Sequence, residues 1–382
     1  MRIFLLPACN GDCILVEYEA LHYILIDGGY ADTYRKYLSP MLRNIAKQGG
    51  ILDLLVVTHI DSDHISGIIK LLEETDHPIP IKQVWYNGYR HIQSPVTEST
   101  TEELFVHHSI VKDTEEMSDK PVSVKQGCTL SSLINKRRIG WNTLMNGDAI
   151  VAPVTVTLNS VKIHILSPKT EKIELLKEFW TKRLIKDNLL SKAHSEEYWD
   201  DAYEFSLSKE KPGFHFRNKR VSWVNDLKKI RETQYIPDGS VTNGSSIAFV
   251  LESCSKKVLF AGDAHAETIL ESLKAIYGGG NRLYRFDAIK VSHHGSFENN
   301  SPEFLSAVSS DKWIISTNGE KYNHPDLATL ANIITNHSKE DIKLYFNYDL
   351  PVCTQLLKPE VSNGYSYQIL TPDNKGIHII EI

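Results

Sequence analysis

The amino-acid sequence predicts an α/β fold, and two observations support this prediction. Apolar stretches of strand length alternate with segments whose apolar residues recur at helical spacing. Several strand-like stretches end in an acidic residue, a histidine or a glycine, as is typical of the functional rim of an open α/β sheet. The composition is that of a folded globular chain, with 41% hydrophobic and 24% charged residues over 382 positions.

The first part of the chain carries most of this alternation. We predict strands over residues 3–6, 14–18, 23–26, 54–58 and 82–86. A helix is predicted over 33–48, where apolar residues fall on one side and Gly49 ends the pattern. A second helix is predicted through Ile65 and Leu72.

The middle of the chain, residues 87–242, is predicted to be an insertion or elaboration within one domain that spans 1–382. It is richer in Ser, Thr, Lys and Glu than the flanking parts and lacks a regular repeat. A strand pair and a helix are expected inside it, over 154–158, 162–166 and 173–185. The segment 186–238 is expected to form an insertion or a mobile lid.

Regular structure is predicted to return at Ser246. We expect strands over 247–251, 257–260, 286–291, 313–316, 343–346, 365–370 and 377–380. We expect helices over 267–277, 302–308 and 327–336.

Charge and cysteine usage limit the classes of protein that the sequence fits. The net charge of -6 argues against wholesale attraction to nucleic acid, although a local basic groove is compatible with it. No segment approaches the roughly 18 apolar residues of a membrane span, and the apolar start of the chain is too short for a signal peptide. The five cysteines are dispersed without metal-type pairs, which is typical of a reducing compartment. We therefore expect a cytoplasmic protein without a membrane partner.

The segment 58–64 concentrates potential metal ligands directly after the apolar run 51–57. These ligands are His59, Asp61, Asp63 and His64. Imidazoles and carboxylates together suit Zn, Mn or Fe. A simpler interpretation is that Asp63 caps the helix that starts near Ile65. Capping, however, needs one Asp and not two carboxylates between two histidines.

Three other predicted strand ends share this design. Asp27 follows one strand, Asp263 a second, and the pair His293-His294 a third. Adjacent strands place their ends on one rim, so these side chains can meet the segment 58–64. A bridging carboxylate such as Asp263 would let two cations lie roughly 3.5–4 Å apart, a spacing that suits hydrolysis.

Each of these residues also has a purely structural interpretation. Asp27 could be only a turn former, and Asp263 could cap the helix that follows it. One imidazole of the pair His293-His294 is expected to face away from the site. We expect His265 to lie on the surface.

At these residues the chain resembles the metallo-β-lactamase-fold hydrolases. The order Asp-Gly-Gly, His-x-x-x-Asp-His, Gly-Asp and a late His is similar to the motif series of that superfamily. Within it, the chain is most similar to the nuclease-like C-terminal domain of ComEC competence proteins. The segments that carry this resemblance are 10–16, 58–67, 243–246, 259–264, 291–296 and 323–325.

The resemblance implies an αββα metallo-β-lactamase sandwich and a metal-dependent hydrolase that uses a metal-activated water at a dinuclear site. The metal ligands that it implies are His59, Asp61, Asp63, His64, Asp263 and His293. Asp63 could instead act catalytically, as a general base that orients the attacking water. Asp27 is expected to hold a ligand by a hydrogen bond. Positions expected behind the ligands or beside the substrate are His294, His324, Asn243 and Ser246, with an ordinary loop histidine as the alternative for His324.

Two departures from the superfamily pattern concern the metals. Asp61 stands where most members have a histidine, and the segment 243–246 stands where a mid-chain histidine ligand would be sought. A site depleted of imidazole should prefer Mn or Mg over Zn, or hold its second ion weakly. We expect two divalent ions, Mn or Zn, with Mg as a further candidate.

The resemblance implies a phosphodiester substrate, in a nucleic acid or a nucleotide. The segment 211–223, with Lys228, Lys229 and Arg231 after it, mixes cations with aromatic rings, as single-strand binders do. A solvated basic face explains the same pattern slightly better. Hydrolysis of a lactone, thioester or amide at the same site is the alternative activity. A metal-poor interaction module with a protein partner is the non-enzymatic alternative.

Overall fold

A computed structural model describes residues 1–92, 130–186, 226–337, 341–362, 364–373 and 376–382. They form two mixed β-sheets packed face to face, with helices on both outer faces. This is an αββα sandwich, so the predicted fold class is confirmed. The basic and aromatic segment 211–223 lies outside the described residues.

The first sheet contains seven strands within the described part of the chain. They are β1 (Arg2–Leu5), β2 (Ile14–Glu19), β3 (His22–Ile26), β4 (Ile51–Val56), β5 (Gln83–Trp85), β6 (Gly140–Trp141) and β17 (His378–Glu381). Their order is β17-β1-β2-β3-β4-β5-β6. Strands β3 to β6 run parallel, so the ends of β3 and β4 meet at one rim.

The second sheet contains eight described strands. They are β7 (Val154–Leu158), β8 (Val161–Ser167), β9 (Ala248–Ser253), β10 (Lys256–Phe260), β12 (Ala288–Lys290), β14 (Lys312–Ile315), β15 (Ile342–Phe346) and β16 (Tyr367–Leu370). Their order is β16-β15-β14-β12-β10-β9-β8-β7. Strands β10, β12 and β14 are parallel, which brings their ends to a common rim. A short separate pair is formed by β11 (Tyr284–Arg285) and β13 (Val308–Ser309).

Helices cover the outer faces of both sheets. Those over the first sheet are α1 (Ala31–Thr33), α2 (Ser39–Lys47), α3 (Ser62–Glu73), α4 (Tyr89–Ile92), α5 (Leu130–Lys136) and α6 (Thr170–Lys186). The later helices are α7 (Leu227–Arg231), α8 (Val241–Gly244), α9 (Ala266–Tyr277), α10 (Pro302–Ala307), α11 (Leu327–Asn336), α12 (Pro351–Leu356) and α13 (Pro359–Ser362). A π-helical turn at Tyr34–Leu38 joins α1 to α2, so the predicted helix 33–48 is one continuous helical region of three segments.

Three apolar cores hold these layers together. The central core lies between the sheets, where Trp85 of the first sheet meets Phe249 of the second with ring centres 6.3 Å apart. One outer core lies beneath α2 and α3, and the other beneath α9 and α11. Because strands buried on both faces must be apolar, β4 reads as a nearly continuous apolar run, and the three buried residues that end β10 are apolar.

The described part of the segment 87–242 contributes to both sheets. Strand β6 lies at the edge of the first sheet, and the predicted hairpin of β7 and β8 pairs with β9 at the edge of the second. The predicted strand 286–291 is observed as the shorter β12, and β11 lies just before the predicted range. Within the described residues, none of the helices combines the length and the apolar character that crossing a membrane requires.

Candidate metal centre

Asp27 connects the end of β3 to the first turn of α3. Its backbone has a φ of 56°, so Asp27 does form a turn. Its buried carboxylate also accepts a hydrogen bond from the Thr58 backbone N–H at 2.8 Å and lies 2.8 Å from His64 Nδ1. The contact with His64 is the one expected of a residue that orients a metal ligand.

Two glycines allow α3 to approach β3 closely. A Cβ atom on Gly67 would lie 1.9 Å from the carbonyl oxygen of Gly28. The backbone N–H of Gly28 donates to the carbonyl of His64 at 2.8 Å. The absence of side chains at both positions therefore fixes the place of His64 beside Asp27.

Asp63 is not the N-cap residue of helix α3. Asp61 occupies the N-cap position, and its side chain makes no capping hydrogen bond. Asp63 lies inside the first turn, where its Oδ2 accepts a hydrogen bond from Asn10 Nδ2 at 2.5 Å. Capping is therefore not the role of Asp63.

The other sheet supplies Asp263 and the histidine pair. Asp263 follows β10, and its backbone N–H donates to Ser246 Oγ at 3.0 Å. His265, not Asp263, is the N-cap residue of α9, so the capping interpretation of Asp263 is wrong. The Ser246 contact anchors the Asp263 backbone at the rim.

His293 and His294 both adopt left-handed backbone conformations, with φ values of 43° and 57°. Such conformations are costly for residues with a Cβ atom and concentrate at functional sites. The backbone N–H of His293 donates to the Gly262 carbonyl at 3.0 Å, which ties this turn to the end of β10. As a result both imidazoles face Asp263, and the expectation that one of them turns away is wrong.

Four imidazoles converge on one carboxylate oxygen. Asp263 Oδ2 lies 3.4 Å from His294 Nε2, 3.5 Å from His64 Nε2, and 3.8 Å from the Nε2 atoms of both His59 and His293. Two of the clusters able to hold a cation are His59–His64–Asp263 and Asp63–His64–His294. His294 therefore lies closer to Asp263 than His293 does, although the motif alignment favours His293 as the ligand.

The hydrogen bonds made by Nδ1 fix the orientation of each imidazole, so that Nε2 faces Asp263. His294 Nδ1 faces the Ser316 carbonyl, and His64 Nδ1 faces the Asp27 carboxylate; both partners can only accept. Each Nδ1 therefore carries a proton, and Nε2 is the nitrogen that can bind a cation once it has lost its own proton.

His59 and His293 also donate a hydrogen bond from Nδ1. Thr58 Oγ1 donates to Asp27, so it accepts from His59 Nδ1. Asn299 donates its amide hydrogens to Asp238 and to the Asp263 carbonyl, so its Oδ1 accepts from His293 Nδ1 at 2.7 Å. All four rings therefore direct Nε2, and not Nδ1, at Asp263.

Such an arrangement fits divalent cations. The Nε2 atoms of His59, His64 and His294 and Oδ1 of Asp263 are buried, and each lacks a hydrogen-bond partner among the described residues. A buried polar atom without a partner costs about 1–3 kcal/mol, and a bound cation would remove that cost. The donor set of imidazoles and carboxylates is that of Zn, Mn or Fe sites. The buried His/Asp clusters are consistent with a dinuclear metal site.

The acids and histidines of the cluster strongly shift one another's pKa values. Burial alone would raise the pKa of Asp263, but the surrounding His294, His64 and His293 hold it well below its usual value. Burial would lower the pKa of His294, but Asp263 and Asp12 raise it to about 9. Asp263 and Asp27 likewise raise the pKa of His64 well above its usual value, against the effect of burial.

Asp12 and Lys290 are two further buried charged residues beside the cluster. Neither was predicted as a site residue. Lys290 forms an ion pair with the Asp12 carboxylate, and its Nζ lies 3.9 Å from Asp263 Oδ1. Asp12 Oδ1 lies 3.6 Å from His294 Nδ1. The motif 10–16 contained Asp12, but nothing in the local sequence indicates that its partner is Lys290.

Asp238 and Asn299 were not predicted as site residues either, and they lie behind His293. Asp238 Oδ2 accepts hydrogen bonds from Asn299 Nδ2 at 2.9 Å and from Asn243 Nδ2 at 2.8 Å. Asn243 Nδ2 lies 3.5 Å from His293 Nδ1, so Asn243 stands behind the imidazole and not between it and Asp263. His265 lies 3.6 Å from Asp238 and is 7% exposed, so the expected surface position of His265 is wrong.

The two remaining predicted residues lie at the mouth of the cluster. Asp61 has a side chain 39% exposed, and its Oδ2 lies 3.6 Å from His59 Nε2. His324 lies against His293 with ring centres 5.4 Å apart. Both positions are next to the cluster but closer to solvent than Asp263.

Part of the sequence matches the model of a known superfamily. The sequence model for the "Metallo-beta-lactamase superfamily" matches residues 6–121. No curated protein shows significant sequence similarity to the chain. One similar crystal structure, from Parabacteroides distasonis ATCC 8503, is described as a "Putative metal-dependent hydrolase"; it is 11% identical, with a TM-score of 0.35 over 96% of this chain and 91% of that one. Another is a mutant of "CmlA beta-hydroxylase", 10% identical with a TM-score of 0.37, where 100% of this chain spans 54% of the other.

The match over residues 6–121 covers the strand ends that supply Asp27, His59, Asp63 and His64. The two mixed sheets and their outer helices give the corresponding architecture. Residues 6–121 are therefore similar to the metallo-beta-lactamase superfamily, and the described residues form a two-sheet architecture of that type.

Proposed function

We propose that this protein is a metal-dependent phosphodiesterase with a dinuclear centre. The observation that carries the proposal is the convergence of four imidazole Nε2 atoms on Asp263 Oδ2. The residues that would hold the ions are His59, His64, Asp263, Asp63 and His294. When bound, divalent ions at such a site lower the pKa of water and stabilise negative charge that develops on the substrate.

The side chains of the protein prepare this chemistry. Asp27, Thr58, Ser316 and Asn299 fix the imidazoles through Nδ1, so the rings need no reorientation during reaction. Asn10 holds the Asp63 carboxylate at the cluster. Asp63 would then act either as a ligand or as the group that accepts a proton from the attacking water.

A phosphodiester is the substrate that we favour, because of the similarity to the nuclease-like ComEC domain. Charge balance supports a dinuclear centre. The acids around it are Asp12, Asp27, Asp61, Asp63 and Asp263, and Lys290 offsets one of them. Two divalent ions would offset the other four. Mn or Zn fits the four imidazoles better than Mg does, since Mg prefers oxygen ligands.

The test combines elemental analysis with hydrolysis of bis-p-nitrophenyl phosphate. We expect about two Mn or Zn ions per chain and Mn-dependent turnover, both abolished or strongly reduced in Asp63→Ala and His64→Ala. Asp311→Ala is the matched control, because that side chain is 51% exposed and pairs only with the neighbouring Lys312 among the described residues. Turnover of esters or lactones alone would instead assign the alternative hydrolase activity. A protein without bound metal and without turnover would be an interaction module.

A further inference from the structure

We propose that Tyr322 and Lys321 form a nucleoside-binding subsite at the mouth of the metal centre, in which the ring stacks on a base and the ammonium group contacts a phosphate. The subsite rests on the proposed phosphodiesterase function, and it narrows the substrate to a nucleotide or a single-stranded nucleic acid. It lies on the loop 318–326, which connects β14 to α11.

A series of rings leads from solvent to the metal centre along this loop. Tyr322 is 46% exposed, and its ring centre lies 5.9 Å from that of His324. His324 in turn lies 5.4 Å from His293, whose Nε2 faces Asp263. A base on the outer face of Tyr322 would therefore lie within one nucleotide of the reacting phosphate.

The loop is held in place at both ends. The backbone N–H of Asn318 donates to the Cys9 carbonyl at 2.7 Å. At the other end the Asp326 N–H donates to the Gly295 carbonyl at 3.0 Å, and the Asp326 carboxylate accepts from the Phe297 N–H at 2.7 Å. Because Gly295 directly follows the histidine pair, the position of Tyr322 is tied to that of the metal centre.

Lys321 adds a cation next to the ring. Its Nζ lies 4.7 Å from the centre of the Tyr322 ring. Burial would lower the pKa of Lys321, but Tyr322 and the charge of Asp63 raise it, so the ammonium form persists. Tyr30 also helps to raise the pKa of Lys321, and its hydroxyl donates to Asn10 Oδ1 at 3.0 Å.

An exposed tyrosine alone is common on protein surfaces. The combination of a ring, an adjacent cation and a reacting centre is the one that single-strand binders use, because bases stack on rings and phosphates require positive charge. A neutral lactone or ester could stack on the ring but carries no anionic group for the cation to bind in the ground state. Both groups together therefore favour a nucleotide.

The experiment compares two phosphodiesters that share a leaving group. With Mn-loaded protein, kcat/KM is measured for thymidine 5′-p-nitrophenyl phosphate and for methyl p-nitrophenyl phosphate. We expect the nucleoside diester to be preferred by about tenfold, as one stacked base allows. The preference should disappear in Tyr322→Ala and persist in Tyr322→Phe, which keeps the ring. Lys321→Ala should raise KM for both diesters, because its ammonium group contacts the phosphate that they share, and Lys321→Arg should restore it.

Equal kcat/KM for the two diesters in the unaltered protein would overturn the subsite while leaving the phosphodiesterase proposal intact. If neither diester is hydrolysed, the proposed function fails, and binding decides the subsite separately. Titration calorimetry of the Mn-loaded protein should then show thymidine 5′-monophosphate binding about tenfold more tightly than inorganic phosphate, with the difference lost in Tyr322→Ala. Equal affinities for the two ligands would overturn the subsite.

Discussion

Lys290 and Asp12 form an ion pair in the interior, where each side chain is only 1% exposed. Lys290 belongs to β12 of the second sheet, whereas Asp12 lies in the connection between β1 and β2 of the first. Lys290 Nζ also donates to the Gly262 carbonyl at 3.1 Å. The pair therefore joins the two sheets at the rim that carries the metal centre.

Removal of the lysine charge should destabilise the protein strongly. In Lys290→Met, Asp12 would remain buried without its cation, and breaking a buried pair in this way costs about 3–5 kcal/mol. We expect urea unfolding in the presence of EDTA to show a decrease of this size. The double variant Lys290→Met/Asp12→Asn should recover part of the loss, because the uncompensated charge is then gone.

An exposed lysine provides the control. Lys256 pairs with Asp287 at 2.9 Å, but its side chain is 43% exposed. Lys256→Met should change the free energy of unfolding by about 0–1 kcal/mol. Equal effects of the two substitutions would show that the Lys290 pair has no special importance.

The contrast between His64 and Lys290 explains how much of the site could be predicted from the sequence. His59, Asp61, Asp63 and His64 lie within six consecutive positions, and local spacing after an apolar run was enough to indicate a site. Lys290 has no such signal, because it is one cation in a predicted strand and its partner is near the start of the chain. Pairing between distant loops depends on the packing of the two sheets, which spacing does not encode.

The orientation of the histidine pair was also beyond sequence reasoning. Consecutive residues in an extended strand point to opposite faces, so one imidazole was expected to turn away. The left-handed conformations of His293 and His294 break this alternation. Non-glycine residues adopt them only where the surroundings impose them, here through Gly262, Asn299 and Ser316. Most strand and helix positions, in contrast, followed from apolar periodicity.

Loss of the Asn299 amide should weaken metal binding. Asn299 links Asp238 to His293, so Asn299→Ala would free the imidazole and leave Asp238 without one donor. Removing a group of this kind typically lowers metal affinity about 10- to 100-fold. Equilibrium dialysis with Mn at fixed pH measures the change. Asn44→Ala, on the exposed face of α2, is the control, and an equal affinity in both variants would contradict the role of Asn299.

A methyl group at Gly67 should displace α3. The Cβ atom of Gly67→Ala would lie 1.9 Å from the Gly28 carbonyl oxygen, so the helix must move. We expect a loss of about 1–3 kcal/mol in the free energy of unfolding, together with reduced metal content because α3 carries Asp63 and His64. Gly279→Ala is the matched control, since no atom lies within 4 Å of its added Cβ. A Gly67→Ala protein with unchanged melting temperature and full metal content would contradict the close packing.

Metal binding should strengthen as the pH rises towards 9. In the metal-free protein the pKa of His294 is raised from 6.5 to about 9, chiefly because Asp263 and Asp12 outweigh the effect of burial. Below that pH an incoming cation must displace the proton, so apparent affinity should increase by at most about tenfold per pH unit for each proton released.

The stability of the metal-free protein should change in the opposite direction. A raised folded-state pKa contributes stability that is fully present below pH 6.5 and is lost as the pH rises through about 9. Melting temperatures measured with EDTA should therefore fall between pH 6.5 and 9, while the increase produced by saturating Mn grows over the same interval. His294→Gln should flatten both trends, since a neutral amide does not titrate. An Mn-induced increase that is constant from pH 6.5 to 9 would show that cations and protons do not compete for His294.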